Sequence, residues 1–129
     1  MRPVGARGIT VLGSVFRLAY GVGAFAAPRA MERARLAAQT DDRPDPRLLQ
    51  RAFGAHQALA AGFTLAALRS EDLLRPAILM SALLDGVDIA SAVAEVRARG
   101  GVDRTLAGGL ALSGAGVVTF LAALRALER

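Results

Sequence analysis

The chain alternates long apolar segments with shorter polar connections. Four apolar segments stand out, at about residues 8–27, 52–68, 76–96 and 106–124. A helix that crosses the hydrocarbon core of a bilayer needs about 20 residues, with a usual range of about 17–25. The fourth segment contains no charged residue, and the second is the shortest. The pattern predicts an all-α fold in which four transmembrane helices form an up-down bundle.

Proline, glycine and capping residues between the segments predict where the helices begin and end. We place the helices at about residues 8–27, 47–68, 75–97 and 104–126, in a single domain that covers residues 1–129. Pro28 should close the first helix, and residues 28–46 form the longest predicted linker. Asp45 is a predicted N-cap of the second helix, and Pro76 should open the third.

Polar residues recur inside three of the segments at spacings of three and four. In the first segment they are Thr10, Ser14 and Arg17, followed by Gly21. In the second they are Gln50, Gln57 and Thr64, with Gly54 and Ala61 between them on the same face and His56 beside them. In the third they are Ser81, Asp85, Asp88, Glu95 and Arg99, with Ala92 between Asp88 and Glu95 on the same face. Because residues three and four apart share one helical face, each of these helices should present a narrow polar stripe. We call the three stripes together the polar seam.

Two environments would accept the polar seam. In a bilayer it would turn inward, and the apolar faces would meet acyl chains. In water it would face the solvent, and the apolar faces would form the core. The narrow stripes favour the bilayer, because a soluble helix usually shows charges over a wide face. Small residues spaced for close helix packing also favour it, at Gly13 and Gly21, Gly54 and Gly62, and Gly109 and Ser113. A soluble helical bundle is the alternative.

The composition limits the chemistry. All 16 basic residues are arginine, which is typical of a GC-rich bacterial genome, and the net charge is +5. The arginines form no dense stripe with interleaved aromatic residues, so we expect no nucleic-acid partner. There is no cysteine and a single histidine, His56. We therefore expect no metal site and no cofactor, and the chain shows no motif for nucleophilic catalysis.

The candidate polar site consists of charged and polar residues in the middle of the apolar segments: Arg17, Asp85, Asp88, His56, Gln57 and Ser81. A charge near the bilayer centre costs about 2.5–3.5 kcal/mol on insertion scales, so it normally faces a partner or a wet cavity. Arg17 is the cation available to Asp85 or Asp88. One hypothesis is a structural ion pair that holds the helices in register. The other is a proton or ion relay, in which one carboxylate pairs with Arg17 and the other exchanges a proton.

Three motifs resemble a known group of proteins. They are FRLAYGVGAFAAP at residues 16–28, RAFGAHQALAAG at residues 51–62, and the Asp85-Gly-Val-Asp88 stretch. Together they resemble a family of small four-helix bacterial membrane proteins of unknown activity, distantly similar to DoxX-like proteins. His56 stands where that pattern has arginine, which puts a shared role for this position in doubt. The resemblance implies a four-helix membrane fold and no catalytic residues.

From these observations we expect a multi-pass protein of the bacterial cytoplasmic membrane. Its role would be accessory or structural, without enzymatic activity of its own. The alternatives are a small proton-coupled transporter or carrier, and a membrane enzyme that acts on a lipophilic substrate, each with Arg17, Asp85 and Asp88 lining its site. The expected partners are the lipid bilayer and either a second copy of the chain or another membrane protein.

Overall fold

The computed structural model describes residues 5–33 and 46–128. In these residues every regular element is an α-helix, in agreement with the predicted all-α class. The helices are α1 (Gly5–Ala26), α2 (Pro28–Arg33), α3 (Pro46–Ala67), α4 (Glu71–Arg99) and α5 (Arg104–Leu127). Four of them are long, and α2 has only six residues.

The predicted linker over residues 28–46 begins with the short helix α2. Pro28 occupies the first position of that helix, where the missing backbone N–H would have no helical partner. The remainder of the predicted linker lies outside the described residues, as does the predicted N-cap Asp45.

Helix α4 begins at Glu71, four residues before the predicted start, so Pro76 lies inside it. The first turn contains the acidic residues Glu71 and Asp72, which interact favourably with the positive end of the helix dipole. At the other end, Gly100 adopts a left-handed conformation with φ of 70°, and its N–H donates to the carbonyl of Val96 at 2.9 Å. This glycine ends the helix because other residues rarely adopt that conformation.

The four long helices form a ring with antiparallel neighbours. Helix α1 packs against α3 and α5, and α4 packs against the same two helices. Consequently α1 and α4 face each other across the bundle. Surface ion pairs join Arg7 to Glu71 at 3.5 Å and Arg75 to Glu128 at 3.1 Å. These contacts place the start of α1, the start of α4 and the end of α5 at one end of the bundle.

The polar side chains of the bundle are inside and many large apolar ones are outside. The buried polar residues are Thr10, Ser14, Arg17, Gln57, Thr64, Ser81 and Asp85. By contrast, Leu12 is 73% exposed, Leu59 is 74% exposed and Val118 is 68% exposed. A small apolar core, with Phe120 and Ile78 as its largest members, fills the space between α4 and α5. This distribution is the reverse of that in a soluble bundle and matches a bilayer as the surrounding solvent.

Among the described residues, three helices are long and apolar enough to cross a membrane, at Gly5–Ala26, Glu71–Arg99 and Leu106–Leu127. Length and composition therefore indicate a multi-pass membrane protein. By length and hydropathy alone, the described helices give three spans and not the predicted four. Helix α3 has 22 residues, as many as α1, but it contains His56 and Gln57 at its middle and Thr64 in its last turn.

The backbones of α1 and α3 touch at two glycines. A Cβ atom on Gly21 would lie 2.6 Å from the backbone nitrogen of Ala58 and 2.7 Å from the carbonyl oxygen of Gly54. A Cβ atom on Gly54 would lie 2.6 Å from the carbonyl oxygen of Gly21. Real Cβ atoms do not approach other atoms so closely, so only glycine fits at either position. Such contacts are typical of helices that pack in lipid.

Candidate functional site

The buried polar residues meet around Arg17, which extends from α1 across the bundle towards α4. Its Nη2 atom donates a hydrogen bond to Oδ1 of Asp85, and the two side chains form a buried ion pair. The same Nη2 atom lies 3.4 Å from the carbonyl oxygen of Ser81, one turn earlier on α4. Both charged residues are nearly inaccessible, with 7% of Arg17 and 5% of Asp85 exposed. The pair therefore joins helices that are opposite each other in the ring.

An aromatic ring from α5 completes the surroundings of the guanidinium group. The Cζ atom of Arg17 lies 5.2 Å from the ring centroid of Phe120, which is 2% exposed. An arginine within about 6 Å of an aromatic centroid is attracted to the ring face. Phe120 is not part of the predicted polar site, because no polar spacing identifies it. It contributes to both the apolar core and the cation contact.

The second aspartate has a different partner. Oδ2 of Asp88 accepts a hydrogen bond from Nε2 of Gln57 on α3, at 3.0 Å. Gln57 is buried and Asp88 is half-buried. The sequence predicted Arg17 as the partner of one aspartate or the other, and the structure pairs it with Asp85. The two carboxylates therefore occupy distinct environments one turn apart on α4.

Hydroxyl groups extend the polar seam towards the C-terminal end of α3. The hydroxyls of Thr64 and Ser81 lie 2.9 Å apart and form a hydrogen bond between α3 and α4. The Thr64 hydroxyl also donates to the carbonyl of Ala60 at 2.9 Å. Ser81 is thus a link in the interhelical network through both its side chain and its carbonyl.

The remaining predicted site residue, His56, lies apart from Arg17. It is exposed, and it lines a separate hollow of about 240 Å³ between α3 and α4 together with Phe63 and Met80. Thr64 and Ser81 border the same hollow from inside the bundle. The structure consequently brings Gln57, but not its neighbour His56, into the site around Arg17, because adjacent helical residues point in different directions.

Helix α5 makes room for the ion pair with a glycine that the sequence did not single out. A Cβ atom on Gly116 would collide with Oδ2 of Asp85 and would lie 2.6 Å from its Cγ. The carboxylate therefore packs directly on the backbone of α5. The only sequence feature that hints at this contact is the small size of residues on an otherwise apolar helix, and that feature is common along the chain.

A cavity of about 440 Å³ lies between α1 and α5 and reaches the ion pair. Its floor includes Arg17, Asp85, Asp88 and Gln57. Its outer wall is formed by apolar and small residues such as Leu12, Phe16, Gly109, Leu112 and Ala115. Several of these outer residues are exposed, so the cavity opens on the apolar side of the bundle. The cavity thus combines an apolar entrance with a charged floor.

Two buried polar atoms at this floor have no hydrogen-bond partner within the described part of the chain. They are Nη1 of Arg17 and Oδ2 of Asp85, the second nitrogen and the second oxygen of the ion pair. Buried polar groups in proteins are nearly always hydrogen-bonded to protein, water or ligand. The floor therefore offers a donor nitrogen and an acceptor oxygen that are both unpaired.

The residues that the structure describes form no cluster of metal-ligating side chains. No three His, Asp or Glu side chains among them lie close enough together to hold a metal ion. The chemistry available at the site is that of hydrogen bonding and charge pairing, with two carboxylates that can accept protons.

No protein family, curated protein or solved structure matches this chain. The resemblance to DoxX-like proteins therefore stays a prediction. The function has to be inferred from the geometry of the site itself.

Proposed function

We propose that this chain is a multi-pass protein of the bacterial cytoplasmic membrane and that all four long helices cross the bilayer. The 22 residues of α3 would extend about 33 Å, which matches a hydrocarbon core of about 30 Å. Its polar residues Gln57 and Thr64 are buried in the bundle, whereas Leu59 and Phe63 are exposed on its outer side. With Gln57 and Thr64 satisfied inside, His56 is the one of the three polar residues named above that is exposed, and such a helix can span without being apolar throughout.

Within this membrane bundle we assign Arg17 and Asp85 a structural role. Their ion pair connects α1 to α4, which are not neighbours in the ring. This connection across the bundle is the observation that supports the proposal, because a buried charge pair fixes how two helices are aligned along their lengths. The protein would then act as an accessory or structural component of the membrane, without enzymatic activity. The bilayer is its principal partner in this proposal.

A double-variant experiment tests the structural role. Removing one partner of a buried pair costs about 3–5 kcal/mol, whereas replacing both by apolar residues is often neutral or stabilising. We expect Arg17→Leu and Asp85→Leu to lower the yield of folded protein singly, and the double variant to recover it. The measurement is the helical content and monodispersity of the purified protein in detergent. A double variant that is as poorly folded as the worse single variant would contradict a purely structural pair.

A proton-coupled carrier is the second candidate function, and the cavity is the observation that favours it. Arg17, Asp85 and Asp88 all line this cavity. Asp85 is hydrogen-bonded to Arg17, whereas Asp88 is hydrogen-bonded to Gln57. Proton flux into proteoliposomes, followed by a pH-sensitive dye, should then fall in Asp85→Asn and Asp88→Asn. Glu95→Gln is the matched control, because Glu95 pairs with Arg99 near the end of the same helix and outside the cavity. Unchanged flux in both aspartate variants would reject the carrier.

A further inference from the structure

We propose that the cavity between α1 and α5 binds an amphipathic molecule from the bilayer, whose neutral head group both donates and accepts a hydrogen bond. A long-chain alcohol represents this chemical class. The proposal goes beyond a structural role for the ion pair, and it requires no transport. It rests on the shape of the cavity, on two unpaired polar atoms and on the charges at the floor.

The position of the cavity determines the route of entry. Leu12 and Phe16 at its outer wall are 73% and 60% exposed, on a helix long and apolar enough to cross a membrane. A molecule dissolved in the acyl-chain region can therefore reach the opening directly. The volume of about 440 Å³ lies within the range of about 300–1,000 Å³ that is usual for small-molecule sites. The apolar wall is suited to a hydrocarbon tail.

The unpaired atoms at the floor determine what the head group must offer. Nη1 of Arg17 needs an acceptor and Oδ2 of Asp85 needs a donor. Both side chains are more than nine-tenths buried, and both line the cavity. A hydroxyl group can satisfy the two atoms at once, because it has one donor hydrogen and two acceptor lone pairs.

The charges at the floor argue against a charged head group. The floor contains one cation, Arg17, and two carboxylates, Asp85 and Asp88. A carboxylate head would add a third negative group beside them. An ammonium head would be attracted to the carboxylates, but it has no lone pair to accept a hydrogen bond from Nη1 of Arg17 and would lie next to that like charge. A neutral head leaves the Arg17–Asp85 ion pair intact and adds the two missing hydrogen bonds.

Two glycines of α5 provide a matched pair of variants. A Cβ atom on either Gly108 or Gly109 would meet no atom within 4 Å, but only Gly109 lines the cavity. Gly109→Leu should therefore fill the entrance without disturbing the ion pair. Gly108→Leu adds the same side chain one position away, outside the cavity. Neither substitution removes a hydrogen bond or a charge.

The experiment uses the full chain in phosphatidylcholine nanodiscs and a decanol derivative with a diazirine in its tail as the probe. After irradiation, labelled residues are located by peptide mass spectrometry. We expect labelling concentrated on the cavity residues of α1 and α5. It should fall by about tenfold or more in Gly109→Leu, which corresponds to about 1.4 kcal/mol of binding, and by less than about twofold in Gly108→Leu.

Unlabelled competitors with the same tail then test the head group. Decanol should displace the probe, whereas decane, decanoate and decylammonium should do so much more weakly. Labelling that is uniform over the outer surface, or equal in the two glycine variants, would overturn the cavity as the site. Displacement by decane as efficient as by decanol would overturn the role of the floor. Stronger displacement by decanoate or decylammonium would overturn the neutral head group.

Discussion

Gly21 and Gly54 face each other where α1 crosses α3, and neither position has room for a side chain. A Cβ atom on Gly54 would lie 2.6 Å from both the carbonyl oxygen of Gly21 and the backbone nitrogen of Phe25. Backbone atoms cannot rotate away as the end of a flexible side chain can. The separation of α1 and α3 is therefore set by these glycines, and close backbone packing is a main source of helix association in lipid.

The first prediction concerns this contact. Gly21→Ala and Gly54→Ala should each destabilise the bundle by about 1–3 kcal/mol or more, because the added methyl group forces α1 and α3 apart. Gly62→Ala and Gly86→Ala are the controls, since a Cβ atom at either position would meet no atom within 4 Å. Unfolding in detergent, followed by circular dichroism, measures the difference. Equal stability of all four variants would contradict the close contact.

A second prediction concerns Gly116, on which the carboxylate of Asp85 packs. Gly116→Ala should destabilise the protein by about 1–3 kcal/mol, because its methyl group would occupy the position of Oδ2 of Asp85. Gly114→Ala on the same helix should be neutral or stabilising, since a Cβ atom there would meet nothing within 4 Å and alanine favours the helix. The same unfolding assay in detergent measures both variants.

A double-variant cycle separates this collision from a general effect on α5. In an Asp85→Ala background, Gly116→Ala should cost much less than in the original chain, because the group that it displaces is absent. The same cost in both backgrounds would show that Gly116 is needed for a reason other than Asp85.

A third prediction concerns the hydroxyl pair that links α3 to α4. Thr64→Val removes the hydrogen bond to Ser81 and keeps the shape of the side chain. Interhelical hydrogen bonds in membrane proteins average about 0.6 kcal/mol, with a maximum near 1.7, so we expect a loss in this range. Ser91→Ala is the control, because the Ser91 hydroxyl is exposed and bonds only to Val87 of its own helix at 2.8 Å. A loss no greater than that of the control would remove Thr64 from the network.

The buried face of α1 is a part of the fold that spacing alone locates. Thr10, Ser14, Arg17 and Gly21 were predicted to share one face, and all four are buried. This succeeds because the helical period determines which residues lie together, whatever surrounds the helix.

On α4 the same spacing predicts a polar face that is longer than the part of it buried in the bundle. Ser81 and Asp85 are buried, but the side chains of Glu95 and Arg99, which form an ion pair near the end of the helix, are 41% and 38% exposed. Periodicity identifies a helical face, yet it does not show how far the neighbouring helices extend along it. That depends on the lengths and ends of the other helices.

The cavity and the role of Gly116 could not be predicted from the spacing of polar residues. Helix α5 has no polar stripe, and its small residues are too common along the chain to identify the face turned towards Asp85. The cavity exists because α1 and α5 are separated beside the ion pair, and a separation between helices is a property of their packing. Likewise, Arg17 pairs with Asp85 and not with Asp88, whose carboxylate accepts a hydrogen bond from Gln57 on α3. Spacing along α4 does not reveal this difference.

The central claim is that four helices of this chain cross the membrane, and cysteine labelling tests it most directly. The chain contains no cysteine, so a cysteine introduced at one position is the only thiol. Leu83→Cys is the control for membrane burial, because Leu83 is 56% exposed in the middle of α4. It should react with a maleimide only after the membrane has been dissolved.

The decisive measurement is the side from which a membrane-impermeant maleimide reaches three other positions in sealed vesicles. Arg7→Cys and Glu128→Cys lie at the same end of the bundle, and Val102→Cys lies in the connection at the opposite end. Four spans predict that the first two positions are labelled from one side and Val102→Cys from the other. Labelling of Arg7→Cys and Glu128→Cys from opposite sides would require an odd number of spans and would contradict the account.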